Sequence, residues 1–344
     1  MVKRRLTLSF NLQDMRALLL VNPKATSTHQ RTRDVLIRAL GAAVDLSVEE
    51  TAYRGHAGVL AGTAHAKGFE AVAVLGGDGT INETVNGLLE GQPDERAAER
   101  PALIVIPGGS ANVFARALGL PNNPVEATGA VLEALRDERR KTIGLGQAIW
   151  HDEVSGPDPG ADAGPDHHRS RYFTFCAGLG YDAEVVRAVE GMRSAGLRAL
   201  PSLYVNTAVR HFFATDRRRP AMRLRRPNQP DVEGIFMAIV SNTSPWTYAG
   251  SRPINPTPWA SFETGLDLLG LRKMGLPTFL GLARQIVAER RGLPTGKHLV
   301  QLHDEAEFTF LASRPVAFQL DGDYLGEHEW VVFRSIPDAL QVLV

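Results

Sequence analysis

Two textures of hydrophobic and polar positions divide this chain. From residue 17 to about 140, short apolar runs alternate with stretches whose apolar residues recur at helical spacing. ALLLVNP is followed by a helix near Thr28 to Leu40, then VDLSVEET, a helix near Ala57 to Lys67, AVAVLGG, a helix near Asn82 to Leu89, and ALIVIPGG. That rhythm predicts a mostly parallel sheet with helices on its faces. After about residue 141, RYFTFCAGLG, GIFMAIVSNT, EFTFLAS, VAFQLDG and WVVFRSI follow one another with few helical patterns between them. This predicts a mainly antiparallel β domain, interrupted by helices at roughly Ser202 to Ala214 and Pro277 to Arg290. The segment HDEVSGPDPGADAGPDHHRS has almost no large apolar residue to bury and reads as an exposed loop. Its His151, His167 and His168 lack cysteine partners and helical spacing, so no metal site is expected of them.

The candidate chemistry lies in the first half. AVAVLGG-DGTINETVNGLL and ALIVIPGG-SANVFARALGL share one design: a buried strand, two glycines, small polar residues, then a helix. In the first, Gly76, Gly77 and Gly79 let backbone amides approach an anion, and the positive end of a helix starting near Thr80 or Ile81 points at the same place. Phosphate is the obvious anion. Asp78 would repel it unless it holds a Mg²⁺ that bridges phosphates or takes a proton from an attacking hydroxyl. The second turn places Gly108, Gly109 and Ser110 before a helix with Asn112 in its first turn. Two such turns at the carboxyl ends of neighbouring strands define one crevice, whose rim Asn22 and Thr26 would line. The competing reading of GGDG is a plain helix-capping turn. No GxxxxGK[ST] and no GxGxxG stands in position.

Composition changes this picture little. Lys+Arg and Asp+Glu both number 38 in 344 residues, so no global field draws the chain to nucleic acid or to an anionic membrane. Any such attraction must be local, and the run ATDRRRPAMRLRRP, with Arg217, Arg218, Arg219, Arg223, Arg225 and Arg226, is the candidate. Leu203, Tyr204, Val209, Phe212 and Phe213 beside it could line an acyl groove or simply be core. The single cysteine, Cys176, allows no internal disulfide and fits a reducing cytoplasm. Asn11, Gln13, Asp14 and Arg16 break up the apolar start, so no secretory signal is expected, nor is any run long enough to span a membrane.

The ordered set VNPKAT, ETAYRGHA, GGDGTINETVNGL and PGGSANVFARALGLP resembles the nucleotide-binding half of the diacylglycerol kinase catalytic family, relatives of the sphingosine kinases. The resemblance implies an α/β ATP-binding domain of the NAD kinase and diacylglycerol kinase type at residues 1–142, joined by a returning tail at 330–344. It implies a β-sandwich-like lipid-substrate domain at 143–329. It places ATP contacts on Asn22, Pro23, Lys24, Ala25, Thr26, Thr51, Gly76, Gly77, Asp78, Gly79, Thr80, Ile81, Asn82, Gly108, Gly109, Ser110 and Asn112, with Ser110 where many relatives carry Thr.

Similarity in the second half rests on FCAGLGYDAEVV, FETGLDLLGLR and FQLDGDYLG, and two departures stand out there. Relatives with a structural Mg²⁺ tend to show a DDGxLD-like stretch. Here Glu263, Thr264, Gly265, Leu266 and Asp267 stand in its place, leaving Glu263 and Asp267 as candidate ligands beside Asp78. Where bacterial lipid kinases usually show Asp-Gly-Glu, with the glutamate as proton acceptor, this chain has Asp321, Gly322 and Asp323. The base role then falls on Asp323 or Asp321, and if the local chain is extended the two point the same way. On its residues alone the stretch is an Asp-Gly hairpin.

The resemblance thus implies a Mg-ATP-dependent kinase acting on a lipid alcohol, diacylglycerol foremost, giving phosphatidic acid. It would work in the cytoplasm at the inner membrane face, and a homodimer is compatible with it. A soluble kinase of the NAD kinase or phosphofructokinase type, which also use GGDG, and a non-catalytic nucleotide sensor are the alternatives.

Overall fold

The structure, a computed structural model, describes residues 12–25, 29–90, 96–151, 168–194, 219–288 and 292–344. It divides into two units: Met1–Thr142 with Leu340–Val344, and Ile143–Ala339. The expected helix at 202–214 and the apolar residues proposed for an acyl groove lie outside the described residues.

In the first unit, β1 (Arg16–Val21), α1 (Gln30–Gly41), β2 (Asp45–Glu50), α2 (His56–Gly62), β3 (Ala71–Gly76), α3 (Asp78–Leu89), β4 (Ala102–Pro107), α4 (Val113–Ala117) and α5 (Pro124–Arg136) follow in order. The strands run parallel in the order β2-β1-β3-β4, and Val342 of the returning tail pairs in parallel with Leu103 of β4. Strands β3 and β4 are buried along their whole length, which is why they read as unbroken apolar runs. Leu36 and Leu40 of α1, and Val131 and Leu135 of α5, close a core over Leu19, Ala73 and Ile104. Helix α5 was not singled out by periodicity, yet its start is locally encoded. The Asn123 side chain accepts hydrogen bonds from the amides of Val125 and Glu126, and Pro124 occupies the first turn.

The second unit holds β5 (Arg140–His151, entering from the first), β6 (His168–Phe173), β7 (Cys176–Gly180), α6 (Tyr181–Ser194), β8 (Met222–Arg225), β9 (Val232–Ile235), β10 (Met237–Ser241), β11 (Thr247–Ala249), β12 (Arg252–Ile254), β13 (Leu266–Leu271), α7 (Leu276–Val287), β14 (Leu299–Glu305), β15 (Glu307–Leu320) and β16 (Asp323–Leu343). Its main path, β14-β13-β10-β7-β15-β16, is antiparallel throughout. Phe173, Phe308, Phe310, Phe318 and Phe333 are fully buried within it.

Two sequence expectations change. RYFTFCAGLG is two strands, broken at Thr174 and Phe175, whose amides turn away to a side chain described below. EFTFLAS and VAFQLDG are one strand, β15, with a register irregularity between Leu311 and Val316 that accommodates Pro315.

Candidate active site

Helix α3 starts at Asp78, earlier than its apolar periodicity indicates, with Gly77 as its extended N-cap. The glycine turns after β3 and β4 stack backbone on backbone. The Gly108 amide donates to the Gly76 carbonyl at 2.7 Å. A Cβ on Gly109 would lie 2.7 Å from the Gly77 Cα, and one on Gly108 would lie 3.0 Å from the Gly76 nitrogen. These glycines are therefore required first by each other, a reason beyond the approach of an anion.

Polar side chains lock the arrangement. Asp78 Oδ1 accepts the amide of Phe114 in the first turn of α4 at 3.1 Å, tying the two helix starts together. Asn112, in the left-handed region at φ 48°, accepts from the Gly109 amide at 2.8 Å, and its amide group donates to the Gly109 carbonyl and to Asn122. Asn22 Nδ2 donates to Thr80 Oγ1 at 2.9 Å while its Oδ1 accepts the Lys24 amide, fixing the β1 loop beside the start of α3. The Thr51 amide donates to the Val21 carbonyl.

Asn22, Pro23, Lys24, Ala25, Thr51, Gly76 to Asn82 and Gly108 to Asn112 thus all fall at the carboxyl ends of β1, β2, β3 and β4. Thr26 lies outside the described residues. Within this set Ile81 and Asn82 are buried, as is Asn112, so their side chains hold the frame. Lys24, Asp78, Gly79 and Ser110 are at least partly open to solvent. The first-turn amides of α3 have no partner within the helix and, beside one carboxylate, are groups able to receive an anion. A single carboxylate suits Mg²⁺, which keeps several waters and takes phosphate oxygens.

In the second unit Asp321 and Gly322, at φ 48° and 84°, form the two-residue turn joining β15 to β16, with Leu320 opposite Asp323. The chain is not extended there, so the two acids do not point the same way. Asp321 is buried. Its Oδ2 accepts the Thr174 amide and hydroxyl at 2.7 and 2.8 Å, and its Oδ1 accepts the amides of Phe175 and Cys176, both at 3.0 Å. This is the side chain that breaks RYFTFCAGLG in two. Burial raises its carboxyl above the ordinary range while the Thr174, Cys176 and Phe175 donors pull against that rise. Asp323, by contrast, is partly open and pairs with Arg171 at 3.0 Å.

Sequence reasoning passed over a neighbour. Asp182, buried at the start of α6, accepts from Gln319 Nε2 at 3.0 Å, and desolvation pushes its carboxyl up to about 7. Gln319 Oε1 in turn accepts the Gly322 amide, and a Cβ on Gly178 would overlap the Asp182 carboxylate. Nothing in the local pattern marks YDAEVV as different from any amphipathic helix start.

The candidate metal ligands Glu263 and Asp267 are not assembled into a cage. Asp267 is fully buried; its Oδ1 bonds His303 Nδ1 at 2.8 Å and the Asp304 amide at 3.1 Å, and its Oδ2 has no hydrogen-bond partner. Thr264 turns its hydroxyl back to the Ser261 carbonyl, and Glu263 is exposed. Among the described residues no group of three His, Cys, Asp or Glu side chains could hold a metal ion. Of the basic run, Arg223 and Arg225 pair with Asp231, Arg223 also reaches Glu233, and Arg226 pairs with Glu305; Arg217 and Arg218 lie outside the described residues. Within the described part of the run, Arg223, Arg225 and Arg226 thus have acidic partners.

A parallel α/β unit with paired phosphate-type turns at its strand ends, followed by an antiparallel unit, defines the class. Residues 16–148 match the diacylglycerol kinase catalytic domain. Over 140 residues the chain is 39% identical to a protein of Chromohalobacter salexigens named "Probable lipid kinase YegS-like", an alignment covering 40% of this chain and 42% of that one. Over 100 residues it is 38% identical to a diacylglycerol kinase of Staphylococcus haemolyticus, covering 29% and 28%. The chain thus spans less than half the length of these curated relatives. The solved structure of a diacylglycerol kinase from Bacillus anthracis shares the fold over 95% of this chain and 96% of that one, with a TM-score of 0.65 at 20% identity.

Proposed function

We propose that this protein is a lipid kinase that transfers the γ-phosphoryl group of Mg-ATP to the hydroxyl of a lipid alcohol, with diacylglycerol the foremost substrate and phosphatidic acid the product. The observation that carries this reading is the interlocked pair of glycine turns, with Asp78 bridging the starts of α3 and α4 inside a domain of the diacylglycerol kinase catalytic family. The amides of the α3 start hold the phosphates, and Mg²⁺ at Asp78 would offset the charge gathering on the transferred group. The lipid oxygen forms a bond to the γ-phosphorus as the bond from that phosphorus to the bridging oxygen of ADP breaks, and the hydroxyl proton passes to a carboxylate. We assign that acceptor role to Asp323, which keeps partial solvent access, with Asp78 as the alternative; Asp321 has both oxygens occupied by backbone and hydroxyl donors.

A single-turnover assay with labelled ATP tests the reading against dispersed diacylglycerol and other lipid alcohols, with NAD and fructose 6-phosphate alongside. Labelled phosphatidic acid supports it. Label in NAD or the sugar phosphate alone, or none in any acceptor while Mg-ATP still binds, overturns it in favour of a soluble kinase or a nucleotide sensor.

A further inference from the structure

Helix α7 carries two apolar stripes, and among the described residues only one of them packs against the sheet. Phe279, Leu282 and Ile286 pack on Met237, Ile239, Leu269 and Leu271 of the sheet. At 100° per residue, Leu276, Leu280 and Val287 fall within about 40° of one another on a different side of the helix. They are 43%, 56% and 39% exposed. Single exposed leucines are ordinary, but a stripe of three on one helix is a patch, and a helix needs only one apolar face to pack.

The charges around the stripe are mostly basic. Residues 272–291 contain Arg272, Lys273, Arg284, Arg290 and Arg291 against the single acid Glu289. Among the described residues Arg272, Lys273 and Arg284 form no ion pair, whereas Arg223, Arg225 and Arg226 all do. Apolar side chains bordered by uncompensated cations match a bilayer surface, where alkyl groups enter the acyl boundary and basic groups meet anionic headgroups. A water-soluble partner would satisfy the stripe but give no reason for the basic excess beside it.

The geometry points to α7 as the membrane-docking helix of this protein, lying on an anionic lipid surface with Leu276, Leu280 and Val287 inserted. This rests on the lipid-substrate reading above and supplies it with a surface. In the basic run that was the sequence candidate for that task, Arg223, Arg225 and Arg226 are paired with Asp231, Glu233 and Glu305.

The test is flotation of the full chain with vesicles of equal parts phosphatidylglycerol and phosphatidylcholine. Leu280→Asp and Leu276→Gln should each weaken partitioning at least about tenfold, the loss expected when a large part of a leucine's apolar surface no longer leaves water. Arg284→Gln should weaken it less and reduce its salt sensitivity, and Arg225→Gln should leave it unchanged. Both leucines are exposed, so melting curves should stay at the parent value; should one variant unfold, the other decides. Parent-like flotation of a folded leucine variant overturns the proposal. So does failure of the parent to float, or a concentration-dependent dimer that these variants abolish. Turnover on a monomeric short-chain diacylglycerol separates the two readings. Activity there with no vesicle binding sinks only the docking helix, while vesicle binding through α7 with no lipid phosphorylated sinks only the kinase reading.

Discussion

Replacing Asp321 by Asn should unfold rather than disarm the protein. Four donors converge on the carboxylate: the Thr174 amide and hydroxyl on one oxygen, and the Phe175 and Cys176 amides on the other, at 2.7 to 3.0 Å. An asparagine presents one oxygen and one NH₂ in either orientation, so two of the four donors lose their acceptor and face another donor. Hydrogen bonds to a charged group are each worth about 1.5–3 kcal/mol, which puts the loss at about 3–6 kcal/mol. For a unit of this size, each kcal/mol moves the melting temperature by about 2–4 °C, so the second unit should melt about 10 °C or more below the parent. Calorimetry resolves this where a single two-state fit does not, because the two units need not melt together. Asp323→Asn breaks a partly exposed ion pair with Arg171 and should melt close to the parent while kcat falls about 10²-fold or more. If Asp321→Asn melts like the parent and is the variant that loses turnover, the structural assignment of Asp321 is wrong and it becomes the proton acceptor.

Three further outcomes follow. Asp78→Asn keeps an oxygen for the Phe114 amide but removes the charge, so the melting curve should hold in the absence of nucleotide while Mg-dependent ATP binding and turnover collapse; a variant as active as the parent would return GGDG to a plain turn. Gly109→Ala places a methyl 2.7 Å from the Gly77 Cα and must part the two turns, so calorimetric ATP affinity should fall at least about tenfold, and unchanged affinity would remove the turns from the site. Asp182 has its folded-state carboxyl raised to about 7 from an ordinary 3.8, so the native state binds a proton that the unfolded chain has released. Stability should therefore decline as pH rises from about 4 to about 7 and level off above. Asp182→Asn should flatten that slope and be relatively most stable near pH 8; an unaltered slope in urea melts would show the proton is bound elsewhere.

Much of the first unit was legible because its determinants are local. The unbroken apolar runs of β3 and β4 follow from burial on both faces, and the glycine-rich turns are written within a few residues; the Asn123-Pro124 helix start is as local but went unread. The Asp-Gly turn at 321 and 322 was equally plain as a hairpin. What the sequence could not determine was where each polar side chain goes once the chain has closed on itself. Asp321 meets Thr174 across 147 residues, Gln319 meets Asp182 across 137, and Asp78 meets Phe114 across 36. The arginines at 223, 225 and 226 looked like a free basic patch in the linear chain, and strand pairing set acids against them. The exposure of one face of α7 was not legible, because periodicity reports that a residue is apolar and not whether another element arrives to cover it. Local backbone preference and burial period are properties of short windows and survive in the sequence. Desolvation, pairing and exposure depend on contacts between distant segments, and only the tertiary fold decides them.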